Sequence, residues 1–459
     1  MTVLVRRRPL LPLAWFTAAV AAGCADDPAS GDDDAAADSS TGGGDTDVPR
    51  YWQDVAPIFF ERCGTCHTAG GVAPFVLDTY AEAASWAAAS ALAVSERTMP
   101  PWLVTDDGTC GSFRDSRALT QEQIDTIVAW ADGGAPEGEP RTDLVLPPLP
   151  SLASATELAT PAFAPIAQGG ALAETDEYRC FLVEPSLATD SYMRASEVVV
   201  GNAALTHHVL LFDVDPTLEV APGVTNADAI AALDDASPDR EGWPCFGSTG
   251  DGTAPGGVPV SWAPGQGIAR LPDGIGYPLH AGSMLVMQVH YNLAGTGQTP
   301  APFVTRVRLE TTDTTEREAF FDLPDGLLES LFGPTPDALA AGEAEVDYSW
   351  ELDVADIAGG LPGLDVLGVL PHMHRFGVRQ RFEIIHADDT VSCGSDVQHW
   401  DFAWQIYYMF EESIRLVPGD RVRVTCTYDT RGAEGPVLPG WGTDNEMCLL
   451  GVLMAPVLE

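Results

Sequence analysis

The sequence predicts a multidomain chain, with a small all-α unit followed by two all-β sandwiches. Three observations predict it. Within residues 51–138, apolar residues at helical spacing flank the pentapeptide Cys63-Gly64-Thr65-Cys66-His67. A Pro- and Ala-rich stretch, 139–172, then breaks the pattern. Beyond it, short Val/Leu/Phe runs alternate with Gly/Pro/Asp turns, the texture of sandwich strands.

The elements follow in order. Residues 1–24 read as an export signal: Arg6-Arg7-Arg8 is a basic start, and Leu10 to Ala22 is too short to span a bilayer comfortably. It ends Ala21-Ala22-Gly23-Cys24, similar to a bacterial lipoprotein cleavage box, so Cys24 is expected to carry lipid. Residues 25–50 are mostly Asp, Gly, Ser and Ala and form an acidic, disordered tether. Asp54 to Arg62 places Val55, Ile58 and Phe59 on one helical face, and residues 79–95 are Ala-rich and helical. Thr120-Gln121-Glu122-Gln123 is a capping box that opens a helix with Ile124, Ile127, Val128 and Ala131 inward, stopped by Gly133-Gly134 and Pro136.

Past the linker, strands are expected at Glu197–Val200, Val209–Phe212, Met284–Tyr291, Val304–Leu309, Val366–Leu370, Gln380–Ile385 and Val422–Tyr428. This part is too long for one sandwich, so two are expected, over 173–325 and 326–459, with Pro324 to Ala344 as the boundary region.

Charge narrows the function classes. Asp and Glu number 67 against 23 bases, all Arg, for a net charge of -44. That excludes nucleic acid or an anionic membrane surface as partner and suits a secreted body. Nine cysteines occur. With Cys24 lipidated and Cys63 and Cys66 bonded elsewhere, an even remainder is left for pairing, as in an oxidising compartment.

Cys63-Gly64-Thr65-Cys66-His67 has the Cys-x-x-Cys-His form that attaches c-type haem. The two thiols would bond to the haem edge, and His67 would supply one axial nitrogen. Met99, followed by two prolines that stiffen the backbone, is the candidate second ligand. The all-α unit is therefore expected to be cytochrome c-like.

A second set of metal-type residues lies downstream. His372 and His374 stand at i and i+2, so on a strand both imidazoles share one face and can grip one ion. A nearby thioether, Met447, would favour copper over zinc. His207 and His208 are adjacent, and adjacent strand residues point to opposite faces. Both reach one ion only at a strand end or bulge, or through different ring nitrogens. His290 sits in another strand-like run, and His280, His386 and His399 are expected to be structural or exposed.

Read together, THHVLLF, QVHY, HMH, CTY and EMC resemble, in order and wording, the copper type II ascorbate-dependent monooxygenases, the family of dopamine β-monooxygenase and peptidylglycine α-hydroxylating monooxygenase. The resemblance covers roughly Asp176 to Pro456 and includes ETDEYRC and VPGDRVRVTCTYDT. It implies two jelly-roll-like sandwiches, each holding one copper ion across a solvent-filled cleft. His207, His208 and His290 look like ligands of the electron-supplying copper. His372, His374 and Met447 look like ligands of the copper at which dioxygen and substrate react. Gln288 also resembles a family residue, and Cys426 with Cys448 resembles a family bridge. Cys180 and Cys245 are inferred to pair, while Cys110 and Cys393 either pair across domains or remain separate thiols.

The peptide-hydroxylating branch holds its substrate's carboxylate with an Arg, an Asn and a Tyr. Leu370, Leu449 and Gly451 stand at those places here, which points to a neutral or aromatic substrate. The expected function is a lipid-anchored copper monooxygenase of a bacterial cell envelope, periplasm-facing or on the outer surface. Its partners would be a small organic substrate, dioxygen and a reductant, either ascorbate or a redox protein. It would touch the membrane only through the lipid on Cys24, and the haem is expected to feed the first copper. The same residues leave open a non-catalytic haem- and copper-binding electron carrier or copper store.

Overall fold

The structure is a computed structural model. It describes residues 48–458 apart from 70, 72, 147–150, 154, 168–175, 184–187, 247, 294–299, 324–337 and 441–443. The expected export signal, Cys24 and tether residues 25–47 lie outside the described residues.

Helix α1 runs through the turns Tyr51–Val55, Ala56–Ile58 and Phe59–Cys63, starting ahead of the expected Asp54. The Ala-rich stretch forms two helices, α2 (Tyr80–Ser85) and α3 (Ala87–Ser95), because the chain leaves helical geometry at Trp86, whose ring stacks on Phe75 at 4.1 Å. Helix α4 (Gln121–Asp132) opens with the expected box: Thr120 Oγ1 accepts from the Gln123 amide, and the Gln123 side chain accepts from the Thr120 amide. Tyr51, Phe59, Ile127 and Trp130 form the buried centre of this unit. Helices α5 (Asn226–Asp235) and α6 (Val354–Ala358) belong to the sandwiches.

The first sandwich contains, in chain order, β1 (Thr156–Ala159), β2 (Asp176–Val183), β3 (Ser191–Val199), β4 (Thr206–Val214), β5 (Glu219–Ala221), β6 (Val224–Thr225), β7 (Trp243–Pro244), β8 (Gly257–Trp262), β9 (Ala269–Arg270), β10 (Ile275–Leu279), β11 (Met284–Asn292), β12 (Arg306–Thr312) and β13 (Arg317–Glu318). One sheet runs β1-β12-β3-β10-β13 with β9 beside β3, and the other β7-β2-β11-β4-β8. The second sandwich contains β14 (Phe320–Asp322), β15 (Val346–Asp353), β16 (Leu364–His372), β17 (Gly377–Ile385), β18 (Val391–Val397), β19 (Tyr408–Leu416), β20 (Arg421–Tyr428) and β21 (Leu449–Pro456). Its sheets are β14-β21-β16-β19 and β15-β20-β17-β18.

Three boundaries differ from the sequence expectation. Strand β1 lies inside the expected linker 139–172 and pairs antiparallel with β12, an edge position that four residues of ordinary polarity can fill. The chain passes between sandwiches at buried Ala319: β13 pairs with β10 and β14 with β21, ahead of the expected boundary at 325. The stretch after Met99 does not stay with the helical unit. Leu103, Val104 and Phe113 are part of the second sandwich's core, with isolated bridges Val104↔Val397 and Phe113↔Phe410. Composition could not reveal any of these, because the partner strand in each case is distant in sequence.

Disulfides join Cys180 to Cys245, Cys426 to Cys448 and Cys110 to Cys393. The last resolves the open pairing and fastens the helical unit's loop to β18. The sandwiches also meet at Asp365 on β16, whose carboxylate accepts from Arg317 of β13 and from Arg415 of β19, each at 2.6 Å. No described helix is long and apolar enough to cross a membrane.

Candidate metal centre

The first cluster is made by a β-bulge. Strands β4 and β11 pair His208 with His290, and then the register skips to Thr206 with Tyr291. His207 is the extra residue, so its side chain can swing toward the face that His208 would otherwise hold alone. One ring nitrogen from each of His207, His208 and His290 lies within 4.8 Å of the others, the only such metal-ready group of His, Cys, Asp and Glu among the described residues.

The hydrogen bonds fix which nitrogen is free. His290 Nε2 lies 3.3 Å from the Asp176 carboxylate, which can only accept, so Nε2 carries the proton. Its Nδ1 is left buried without a partner, as are both ring nitrogens of His207 under ordinary hydrogen-bond geometry. Unpartnered buried nitrogens converging on one point are the donor set a metal ion would satisfy. Tyr178 stacks on the His290 ring at 3.9 Å and holds its plane. Burial pushes the His207 imidazole down to about 4 and His208 and His290 well below their ordinary value, so all three are neutral donors at neutral pH.

The second cluster uses three separate segments. His372 ends β16, His374 follows two residues later, and their ring centroids are 5.2 Å apart. His372 Nδ1 donates to Gln405 Oε1 at 2.6 Å, and His374 Nδ1 donates to the Asn445 carbonyl at 3.0 Å. Both therefore present Nε2. Burial pushes His372 down to about 4.

Met447 is buried beside this pair because Glu446 stitches the segments together. The Glu446 carboxylate accepts from the amides of His374 at 2.9 Å, Phe376 at 2.6 Å and Met447 at 3.2 Å. Burial pushes that carboxyl up to about 7, while these amides pull it back down. Tyr428 Oη donates to the Met447 carbonyl at 2.8 Å, and the Cys426–Cys448 bridge anchors the next residue. Two imidazoles and a thioether form a soft donor set that fits copper.

One loop, residues 398–407, touches both clusters. The Phe402 ring lies 4.7 Å from His207 and 5.8 Å from His374, so a single phenyl separates the two groups. In the same loop, Trp400 Nε1 donates to the His374 carbonyl at 3.0 Å.

Gln288 projects from β11 two residues before His290; its amide donates to the Ser248 carbonyl at 2.6 Å. His280 bonds Asp213, His386 bonds Ser392, and His399 is exposed. On the helical unit, Cys63 and Cys66 are free thiols, and His67 Nδ1 donates to the Phe75 carbonyl at 3.1 Å, leaving Nε2 available. Met99 is half-buried in the loop after α3.

Sequence reading missed Asp176, Gln405, Phe402 and Glu446. Glu446 had a signal, since it sits inside the same EMC phrase as Met447. Phe402 and Gln405 had none, because a loop's reach to distant strands leaves no spacing pattern.

Against known proteins, residues 353–458 match the family model "Copper type II ascorbate-dependent monooxygenase, C-terminal domain". DBH-like monooxygenase protein 1 of Mus musculus is 26% identical over 194 residues, 40% of this chain and 32% of that protein. MOXD1 homolog 2 of Drosophila melanogaster is 21% identical over 227 residues, 47% of this chain and 29% of that protein. Tyramine beta-hydroxylase of Caenorhabditis briggsae is 29% identical over 100 residues, 21% of this chain and 17% of that protein. The chain thus spans about a third or less of the length of these relatives. By sequence, bulged histidine strand and Glu446-braced thioether alike, residues 353–458 belong to the copper type II ascorbate-dependent monooxygenases, as the C-terminal domain of that family.

Proposed function

We propose that the chain is a copper-dependent monooxygenase that hydroxylates an activated C–H bond of a small organic molecule. The overall reaction consumes the substrate, dioxygen, two electrons and two protons, and yields the alcohol and water. The observation that carries this reading is the facing of two donor sets across Phe402: His207, His208 and His290 on one side, His372, His374 and Met447 on the other. Copper, when bound, would supply the one-electron chemistry and the site for dioxygen.

The protein's own part is positional. Asp176, Gln405 and the Asn445 carbonyl hold the imidazole tautomers. Phe402 limits the space and the water between the two groups. The substrate is read as neutral or aromatic. A Cβ added to Gly451 would stand 2.5 Å from Phe321 Cζ and 3.2 Å from Leu370 Cβ, so apolar atoms fill the place where relatives that bind a carboxylate carry a polar side chain.

A c-type haem on Cys63 and Cys66, with His67 and Met99 as axial ligands, is proposed as the built-in donor. The His67 hydrogen bond supports it, since a carbonyl on Nδ1 leaves Nε2 for iron. Cys63 argues against a dithiol redox pair: burial, then the neighbouring Cys66, pushes its thiol up to about 12, whereas reactive Cys-x-x-Cys thiols are lowered. Lipidation at Cys24 would place the whole on a bacterial envelope, with the acidic tether as spacer and no nucleic acid partner.

Oxygen uptake by copper-loaded protein, measured with ascorbate and a panel of alkyl and aryl substrates, tests the reading. Substrate-dependent uptake with a hydroxylated product is expected. Copper-loaded protein whose uptake ignores every substrate would reduce it to an electron carrier.

A further inference from the structure

Two threads of contact leave the proposed haem-binding residues, and both end at the loop 398–407. The first starts at Met99. Three residues on, the Trp102 ring meets Tyr408 edge-on at 5.0 Å, and the Leu103 amide donates to Tyr408 Oη at 3.1 Å. Strand β19 begins at Tyr408, where the loop ends. The second starts at Cys63. Its neighbour Arg62 donates from Nη1 to the Ser116 carbonyl at 2.6 Å. The following residue, Arg117, lies with Trp404 against Gly265: a Cβ built there would stand 3.3 Å from Arg117 Nη1 and 3.1 Å from Trp404. Helical unit, first sandwich and second sandwich meet at that glycine, whose φ of +83° suits the close approach.

The docking is firm. Thr105 donates its amide to the Asp396 carbonyl at 2.8 Å, Arg114 donates its amide to the Met409 carbonyl at 2.8 Å, and Cys110 is bonded to Cys393. These fastenings sit on β18 and β19, the two strands that flank the loop.

From the loop, the two clusters are reached differently. Gln405, three residues before Tyr408, accepts a hydrogen bond from His372 at 2.6 Å, and Trp400 donates to the His374 carbonyl. Toward the first cluster there is only ring packing, Phe402 on His207. Electron tunnelling decays more slowly through covalent and hydrogen bonds than across van der Waals gaps.

We propose that the loop 398–407 is the electron entry of the oxygenase part, and that an electron from the helical unit reaches the His372/His374/Met447 centre before the His207/His208/His290 centre. This rests on the haem reading of Cys63, Cys66, His67 and Met99, and it reverses the order expected from sequence. Each passage moves one electron: ferrous haem iron is oxidised to ferric and a cupric ion at His372 is reduced to cuprous, with no bond or proton transferred. A one-electron reductant outside the chain, ascorbate or a reduced redox protein, restores the haem, and two passages serve one turnover.

The test uses the full chain, loaded with haem and copper, oxidised and anaerobic. A flash of photoreduced deazaflavin, sub-stoichiometric, injects electrons at the haem. The haem absorption band is then followed in time, with freeze-quenched EPR of the cupric signals. His208→Ala and His372→Ala each remove one centre, and elemental analysis confirms one copper in each. Haem reoxidation is expected at the wild-type rate in His208→Ala and at least about tenfold slower in His372→Ala. Trp102→Leu should slow it about as much, and Trp102→Phe should restore most of the rate.

Equal rates in the two copper variants, the opposite pattern, or no reoxidation in a chain that carries haem and both coppers overturns the proposal. Purified protein with no covalent haem band sinks the haem reading itself, and is seen before any kinetics.

Discussion

In the first sandwich three imidazoles meet on two neighbouring strands, because one bulge at His207 turns an alternating pattern into a convergent one. In the second, the donors come from a strand end, the turn after it and a segment more than seventy positions away, joined through the Glu446 carboxylate and the Cys426–Cys448 bridge. The first centre is a property of sheet register, whereas the second depends on buried polar groups and a covalent staple. A sheet-built site should survive loss of its neighbours' hydrogen bonds, and a stitched site should not.

The largest expected effect comes from cutting the stitch. Glu446→Ala leaves the His374, Phe376 and Met447 amides without their buried acceptor, at a cost on the order of 3–5 kcal/mol. Denaturant unfolding should record that loss. Copper at the His372 centre should fall away while the His207 centre stays filled. Equal loss at both centres would break the comparison.

Next is the staple. Replacing Cys426 and Cys448 together by Ser should cost about 2–5 kcal/mol and loosen only the Met447 side. Matched thermal melts and copper counts of wild type and double variant would decide it. The hydrogen bonds to the ligands come after. Asp176→Asn should weaken copper at the first centre and Gln405→Leu at the second, each by about 10–100-fold, read by competition with a copper chelator. Cross-effects between the centres would mean that they are not independent structures.

The smallest effect concerns acid. Burial pushes the Asp365 carboxyl up, but hydrogen bonds from Arg415 and Arg317 outweigh it and hold the group below its ordinary value. A depressed folded value gives stability that is present above the unfolded value of about 3.9 and is lost as pH falls through the folded one. Wild type should therefore lose more stability than Asp365→Asn between pH 5 and 2. A wild-type melt no more acid-sensitive than the variant's would remove Asp365 as the lock between the sandwiches.

Much of this was legible in the sequence. The box at Thr120 appeared as read, and the strands around Val209–Phe212, Met284–Tyr291 and Val422–Tyr428 fell inside β4, β11 and β20, because local patterning determines such elements. His207-His208 raised the question that a bulge answers, yet nothing in THHVLLF places the bulge; the register against β11 does. The thioether was visible and so was Glu446, but its three amide bonds are tertiary. Strand β1 hid in a Pro- and Ala-rich stretch because an edge strand needs a partner more than a pattern. Phe402, which separates the centres, occupies a loop whose position depends on everything it packs against.

The central claim is that two independent three-donor copper centres exist. Elemental analysis combined with EPR of copper-loaded wild type, His208→Ala and His372→Ala tests it most directly. Two coppers in wild type and one in each variant, with distinct cupric signals left behind, is the predicted result. One copper in wild type, or a single substitution that empties both sites, would contradict it.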